Sequence, residues 1–288
     1  MAKNPLIRIA FALTLLEMAK AKKIPFYKLH GAGNDILVVE ERHLPKAGKA
    51  KTLRAMAHRQ TGIGCDQFVE VLSKKPLKVQ IWNGDGTKAE MCANGFRVLL
   101  YLAASEGWIS RSAKEIPVAV SGRAYVCRKA KEGYEVCLGE PTVAPLQTLP
   151  LGSLSVPFHE VSVGNPHAVI FLGFDFNPRD FSFRKTGAEI ENHPRFPQKT
   201  NVEFVKSWAA KGKNAEAQVD VWERGAGATL SCGSGAVAVA AVLRKMSGVE
   251  KISVKMNGFT LVVRFEGGSA FLSGPAALVA KGDYFAPA

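Results

Sequence analysis

Asn83-Gly84-Asp85-Gly86-Thr87-Lys88-Ala89-Glu90-Met91-Cys92-Ala93-Asn94-Gly95 has a counterpart in Glu223-Arg224-Gly225-Ala226-Gly227-Ala228-Thr229-Leu230-Ser231-Cys232-Gly233-Ser234-Gly235. In both stretches a polar residue stands nine positions before a cysteine, with a Gly-bearing turn between them. An apolar run of helical length follows, Phe96, Val98, Leu99, Leu100, Leu102 and Ala103 in one copy and Ala236 to Leu243 in the other. The second run is apolar nearly all round, which predicts a helix buried on most sides. Ahead of each stretch, apolar and polar residues alternate. Leu77, Val79 and Ile81 interleave with Lys78 and Gln80, and Val219 and Val221 with Gln218 and Asp220. That is the period of a half-buried strand. Strand, turn, cysteine and helix therefore occur twice.

Further landmarks repeat outward from this pair. Gly33-Asn34-Asp35 matches Gly164-Asn165-Pro166, and Asp66-Gln67 before Phe68-Val69 matches Asn201-Val202 before Phe204-Val205. An internal repeat of this kind predicts a duplicated architecture. Most remaining segments read as short strands bounded by turn residues: 36–40, 117–120, 124–128, 134–138, 168–172, 252–255, 261–265 and 270–272. The expected fold is α+β, with two pseudo-symmetric antiparallel β units, each enclosing a central helix. The break at Gly139-Glu140-Pro141 sets the expected domains at 26–138 and 139–274, after an amino-terminal extension over 1–25.

Composition narrows the function. A chain of 288 residues, 47% hydrophobic and 22% charged, has the apolar content for two ordinary cores, which excludes a disordered chain. The five cysteines are odd in number and include no C-x-x-C pair, against a disulfide scaffold or a zinc ribbon. A reducing compartment, the cytoplasm, fits them. The net charge is +13, and residues 1–60 hold 12 Lys and Arg against 4 Asp and Glu. This excess is scattered, without interleaved aromatics, and reads as a solvated surface with no nucleic-acid partner. Leu6 to Leu16 is apolar apart from Arg8 and Thr14, too short to span a membrane. Ala19-Lys20-Ala21 resembles a signal-peptidase site, but Arg8 and Glu17 speak against secretion, and either a short helical extension or a true start at Met18 is expected. The motifs G-x-S-x-G, G-x-G-x-x-G and G-K-[ST] do not occur.

Cys92 and Cys232 each fall at the expected start of a helix, where unpaired N–H groups and the macrodipole favour an anion and lower a thiol pKa. Backbone N–H groups exposed by the adjacent small residues can hold a carboxylate between the two helix ends. Two thiols then flank one acidic ligand. One thiolate removes a Cα proton while the opposite thiol delivers a proton to the other face. Cys65, Cys127 and Cys137 read as packing residues.

Eight motifs in order resemble the diaminopimelate epimerase family, from about Phe26 to Gly282: His30-Gly31-Ala32-Gly33-Asn34-Asp35, Gly64-Cys65-Asp66-Gln67, Trp82-Asn83-Gly84-Asp85-Gly86, Cys92-Ala93-Asn94-Gly95, Gly164-Asn165-Pro166-His167, Trp222-Glu223-Arg224-Gly225-Ala226-Gly227, Cys232-Gly233-Ser234-Gly235 and Ser273-Gly274-Pro275-Ala276. The resemblance implies cofactor- and metal-independent epimerisation of LL- and meso-diaminopimelate, for lysine and peptidoglycan precursors. It implies β-barrel-like domains with the site in the cleft between them, the first domain being completed by 275–288. Cys92 and Cys232 would be base and acid, with His167 and Glu223 tuning the thiols. Asn34, Gln67, Asn83, Asn165, Asn201, Glu223 and Arg224 would contact the substrate, and Ala93, Asn94, Gly233 and Ser234 would offer backbone N–H groups to the reacting carboxylate. The small-molecule substrate would be the partner, with no membrane involved and a homodimer left open.

Physical sense supports this assignment. A substrate with two carboxylates and two ammonium groups suits a cluster of Asn and Gln that adds no net charge beside a thiolate. Arg224 can grip the distal carboxylate bidentately, and a shorter amino acid would leave its buried charge unpaired. Asp35, Asp66 and Asp85 read as acids that brace turns. Ala93 departs from the glycine usual after the first cysteine, and would cost turnover if that backbone needed a positive φ. A proline or hydroxyproline racemase shares the two-cysteine logic but has no distal carboxylate to recognise. An isomerase of the phenazine-biosynthesis type does not rely on a cysteine pair. A basic binding module would explain the charge and leave the repeated cysteines unexplained.

Overall fold

The computed structural model describes residues 22–110, 112–131, 133–152, 154–173 and 182–286. The first half runs β1 (Lys22–Gly31), β2 (Asn34–Glu40), α1 (Lys49–Ala57), β3 (Gln67–Lys74), β4 (Leu77–Asn83), β5 (Lys88–Ala89), α2 (Ala93–Ser105), β6 (Glu115–Val120), β7 (Arg123–Ala130) and β8 (Gly133–Cys137). After β9 (Thr142–Leu151) the same series returns: β10 (Leu154–Ser162), β11 (Pro166–Phe171), α3 (Phe183–Glu191), β12 (Asn201–Lys211), β13 (Asn214–Glu223), β14 (Gly227–Ala228), α4 (Gly233–Ser247), β15 (Lys251–Met256), β16 (Phe259–Glu266) and β17 (Ser269–Gly274). The last strand is β18 (Ala276–Ala286).

Pairing follows the repeat strand by strand. β1–β2 and β3–β4 are antiparallel, as are β10–β11 and β12–β13. Even the register irregularities coincide, between Val71 and Ser73 in one half and between Val205 and Ser207 in the other. The expected antiparallel pairing holds for these neighbours but not for all. β2–β3, β4–β6, β11–β12 and β13–β15 are parallel pairs. Parallel neighbours require a long crossover, and the four helices among the described residues supply it. The outer helices α1 and α3 link β2 to β3 and β11 to β12; the inner helices α2 and α4 lie between β4 and β6 and between β13 and β15.

Two pairings join the halves. β8 lies antiparallel against β17, and β18 returns to pair with β1, from Gly31 opposite Ala276 to Lys22 opposite Ala286. β18 thus serves β1 as β9 serves β10. Residues 1–21, with the apolar run Leu6 to Leu16, lie outside the described residues. Lys22 to Pro25, expected in the extension, instead open β1.

Each half wraps its sheet around one helix. Phe96, Val98, Leu99, Leu100, Leu102 and Ala103 of α2 are fully buried among strand residues such as Ile36, Val69 and Ile81. In α4 the buried face runs unbroken from Gly235 to Leu243, as its nearly continuous apolar sequence predicts. The outer helices are amphipathic and cover the other face of the sheet, α1 over Phe68 and Trp82 and α3 over Phe204 and Trp222. Truncating Leu99→Ala or Leu243→Ala is expected to cost about 2–5 kcal/mol in urea unfolding, whereas Leu146→Ala, at a side chain 63% exposed, is expected to stay within about 0.5 kcal/mol.

Candidate active site

The inner helices begin in the same way. Cys92 and Cys232 are their N-caps, in extended conformation, and each sulfur accepts a hydrogen bond from the third helical N–H, Gly95 N at 3.2 Å and Gly235 N at 3.3 Å. A sulfur here fills the place an Asp or Ser oxygen usually takes. The two helix starts meet end to end: a Cβ built on Gly233 would stand 3.1 Å from the Ala93 Cβ. The orphan N–H groups of both first turns therefore face one cleft.

That cleft, ≈ 1870 Å³, lies between the halves, and all the site residues expected from sequence line it except His167. Asn34 Oδ1 lies 3.8 Å from the Cys92 sulfur and accepts from Asn94 Nδ2 at 3.3 Å, while its amide donates to Asp66 at 2.9 Å. Gln67 donates to Asn83 Oδ1 at 3.1 Å, and Asn83 donates to Thr87. On the other side Asn165 Nδ2 reaches Ser234 Oγ at 3.4 Å, and Ser234 Oγ lies 3.5 Å from the Cys232 sulfur. Glu223 accepts a hydrogen bond from the Thr229 hydroxyl. Asn201 is committed to backbone: its Oδ1 accepts from Arg224 N at 3.0 Å and its amide donates to Pro166 O at 2.8 Å. It shapes the Arg224 turn from below.

His167 is fully buried beneath the cleft, with Nδ1 2.7 Å from Glu203 Oε1 and Nε2 3.1 Å from Asn165 Oδ1. Its reach to the substrate region thus passes through Asn165. Arg224 is exposed at the cleft mouth, its guanidinium touching only Gln198 O at 3.4 Å among the hydrogen bonds of the described residues. A buried Arg224 charge is therefore a property that an occupying ligand would have to create. Asp35 and Asp66 brace one another's backbone, Asp35 Oδ1 accepting from Asp66 N at 2.8 Å and Asp66 Oδ2 from Asp35 N at 3.0 Å, and Asp85 accepts from Thr87 N. Cys65 and Cys127 are core residues as expected, whereas Cys137 also lines the cleft.

The electrostatics depart from the simple helix-terminus argument. Burial, with Glu223 adding to it, pushes the Cys92 thiol up to about 11, against the lowering from the Gly95 N–H. Burial raises Cys232 well above an ordinary thiol, with Glu223 and Glu203 adding to the effect. Removal from water penalises the thiolate more than one capping N–H compensates. The Glu223 carboxyl is itself raised, first by burial and then by Glu203.

The sequence profile of the family described as diaminopimelate epimerase matches residues 26–143 and 160–279, so both halves are covered. The chain belongs to the diaminopimelate epimerase family. A diaminopimelate epimerase of Carboxydothermus hydrogenoformans is 35% identical over 90% of this chain and 99% of its own, and one of Desulfitobacterium hafniense is 34% identical over 88% and 96%. Among solved structures, a phenazine biosynthesis protein of the PhzF family from Bacillus anthracis superposes with a TM-score of 0.71 at 12% identity, over 92% of this chain and 99% of that one. A hydroxyproline epimerase from Agrobacterium vitis gives 0.65 at 14%, over 93% and 94%. These structures share the fold.

Several supporting residues of this family member escape sequence reasoning. Glu191 accepts from Gly225 N at 2.9 Å and from the Trp222 indole at 2.7 Å, fixing the Glu223-Arg224-Gly225 turn. Arg59 bridges Asp35 and Asp66. Glu203 and Arg97, both buried, carried a visible signal, a charge inside an otherwise apolar strand or helix. Ala93 has no positive φ, so its methyl costs nothing in backbone conformation. The tight position is instead Gly233, where a Cβ would stand 2.9 Å from Leu272 Cδ2 as well as 3.1 Å from Ala93 Cβ. Gly233→Ala is therefore expected to cost about 1–3 kcal/mol in thermal unfolding, and Ala93→Gly no more than about 1 kcal/mol.

Proposed function

We propose that this chain interconverts LL- and meso-diaminopimelate by two-base proton transfer at one Cα, with Cys92 and Cys232 as the two bases. The observation that carries the reading is the pair of equivalent cysteine N-caps at abutting helix starts, within a chain whose two halves both match the family.

The α-carboxylate of the reacting centre binds at the abutting helix starts, where the N–H groups of Ala93, Gly233 and Ser234 are not used by the capping sulfurs and that of Asn94 lies beside the Cys92 sulfur. With the carboxylate held there, Cα lies between the sulfurs. One cysteine, as thiolate, takes the Cα proton. The electron pair left on Cα delocalises into the carboxylate, whose growing charge meets the fixed N–H dipoles. The other cysteine, as thiol, delivers its proton to the opposite face, and configuration inverts. The two cysteines end with their charges exchanged, so the reverse reaction uses them in exchanged roles.

Asn34 and Asn165, equivalent in the repeat, stand beside the two sulfur sites and offer neutral polar groups to the reacting amino group. Gln67, Asn83 and Arg224 take the distal amino acid end, where Arg224 engages the second carboxylate as the cleft fills. Glu223 and His167 set the charge around Cys232. Among the described residues no helix is long and apolar enough to cross a membrane. Thiol chemistry of this kind belongs in the reducing cytoplasm. Each chain contains both cysteines, so a homodimer would hold two complete sites.

In D2O, reduced protein given LL-diaminopimelate is expected to form meso product deuterated at the inverted carbon while recovered substrate stays protiated, as read by NMR and chiral chromatography. No exchange from folded, reduced protein would overturn the assignment, and exchange into proline or hydroxyproline instead would move it to the racemases. Cys92→Ala and Cys232→Ala are each expected to lower epimerisation by at least about 100- to 10,000-fold, since each removes a general acid–base group.

A further inference from the structure

The two halves are equivalent in backbone and unlike in charge. Strand register aligns them residue by residue: Ile36 opposite Gln67 corresponds to His167 opposite Asn201, and Phe68 opposite Trp82 to Val202 opposite Trp222. Val69 in the first half therefore holds the place of Glu203 in the second. Both lie against the glycine that donates to the capping sulfur. A Cβ at Gly95 would stand 3.3 Å from Val69 Cγ2, and a Cβ at Gly235 would stand 2.6 Å from Glu203 Oε1. Beneath Cys92 the sheet is thus apolar. Beneath Cys232 it carries the buried Glu203–His167 pair, and Glu203 Oε2 has no hydrogen-bond partner among the described residues.

The helices differ in the opposite sense. Five residues after Cys92 stands Arg97, and five after Cys232 stands Val237. Arg97 is only 1% exposed, and Nε and both terminal nitrogens have no hydrogen-bond partner among the described residues. A Cβ added at Gly274, at the end of β17, would lie 3.6 Å from its Nε and Cζ. Helical side chains tilt toward the amino terminus, which inclines this guanidinium toward the turn that Cys92 caps. A buried cation without a partner is costly, and an apolar residue of similar size would fill the same space at lower cost. The buried guanidinium has no fixed anion among its hydrogen-bond partners in the described residues, and suits one that forms only when a neighbouring group ionises.

We infer that Arg97 is the buried counter-charge of the Cys92 thiolate, and that Arg97 on one side with Glu203 on the other makes Cys92 the cysteine of the pair that ionises first. This rests on the two-base reading above. The charges that act on Cys92 are the Arg97 guanidinium and the Glu223 carboxyl; those that act on Cys232 are the carboxyls of Glu223 and Glu203, the latter hydrogen-bonded to the His167 imidazole. Burial raises both thiols, and the Arg97 charge partly offsets this at Cys92 alone. Arg97 is a positioning residue for charge. In the direction of turnover that uses Cys92 as base and Cys232 as acid, the thiolate is left on Cys232, from which the proton distribution must reset before the next.

The test is alkylation by iodoacetamide across pH, with the initial rate at each cysteine read by peptide mass spectrometry. The midpoint of each profile reports ionisation, whereas the plateau reports access. In the unmodified sequence the Cys92 midpoint is expected below that of Cys232. Arg97→Met is expected to raise the Cys92 midpoint by about one pH unit while leaving Cys232 in place, and Arg97→Lys to restore it. Below the Cys92 midpoint Arg97 has no ionised partner, so there the melting temperature of Arg97→Met is expected to hold or rise, which a purely structural arginine would not allow. Glu203→Gln provides an independent arm and is expected to lower the Cys232 midpoint only. A Cys232 midpoint below that of Cys92, or a Cys92 midpoint unmoved by Arg97→Met, overturns the inference. Labelling needs no substrate, so it stands or falls separately from epimerisation.

Discussion

The structure depends on one contact, the meeting of two helix amino termini across the cleft at Ala93 and Gly233. Each terminus has a cysteine sulfur as its cap and N–H groups left over. For the two to meet, each inner helix must enter its half from the same edge and point its first turn at the other half. The parallel pairs β4–β6 and β13–β15 impose that direction, because each helix is the crossover between two strands that run the same way. Gly233 permits the approach, and the β8–β17 and β1–β18 pairings hold the halves in the orientation that makes it.

The same contact sets the chemical problem. A cleft deep enough to order a small zwitterion between two sulfurs also withdraws those sulfurs from water, and desolvation then exceeds what one capping N–H returns. A helix terminus alone does not make a reactive thiolate in such a place. The charges around the two sulfurs differ: Arg97 acts on Cys92 within the first half and, with opposite sign, Glu203 and Glu223 act on Cys232 in the second. Duplication supplies the geometry, and departures from duplication supply the difference in charge around the two sulfurs.

Much of this was legible in the linear chain because it is local. The nine-residue spacing, the Gly-bearing turns and the apolar runs are determined by residues close in sequence, and they announced the repeat, both inner helices, the cysteine caps and the turn-bracing acids. The apolar continuity from Ala236 to Leu243 announced a fully enclosed helix, which α4 is. Asn34, Asn83 and Asn165 were visible for the same reason, since they stand at fixed places in the repeated turns.

What the sequence by itself determined, then, was a duplicated α+β chain with a matched pair of cysteines at helix starts. Tertiary structure decided the rest, because it depends on which distant strands become neighbours. Parallel pairing, the placement of Glu203 beneath Gly235, the commitment of Asn201 to the Arg224 turn and the exposure of Arg224 itself all arise from contacts across long separations. Alternation and spacing report which face of an element is apolar; they carry no information on which partner that face will meet. The ionisation of the two sulfurs belongs to the second class, since burial and buried charge exist only once the halves have closed around their helices.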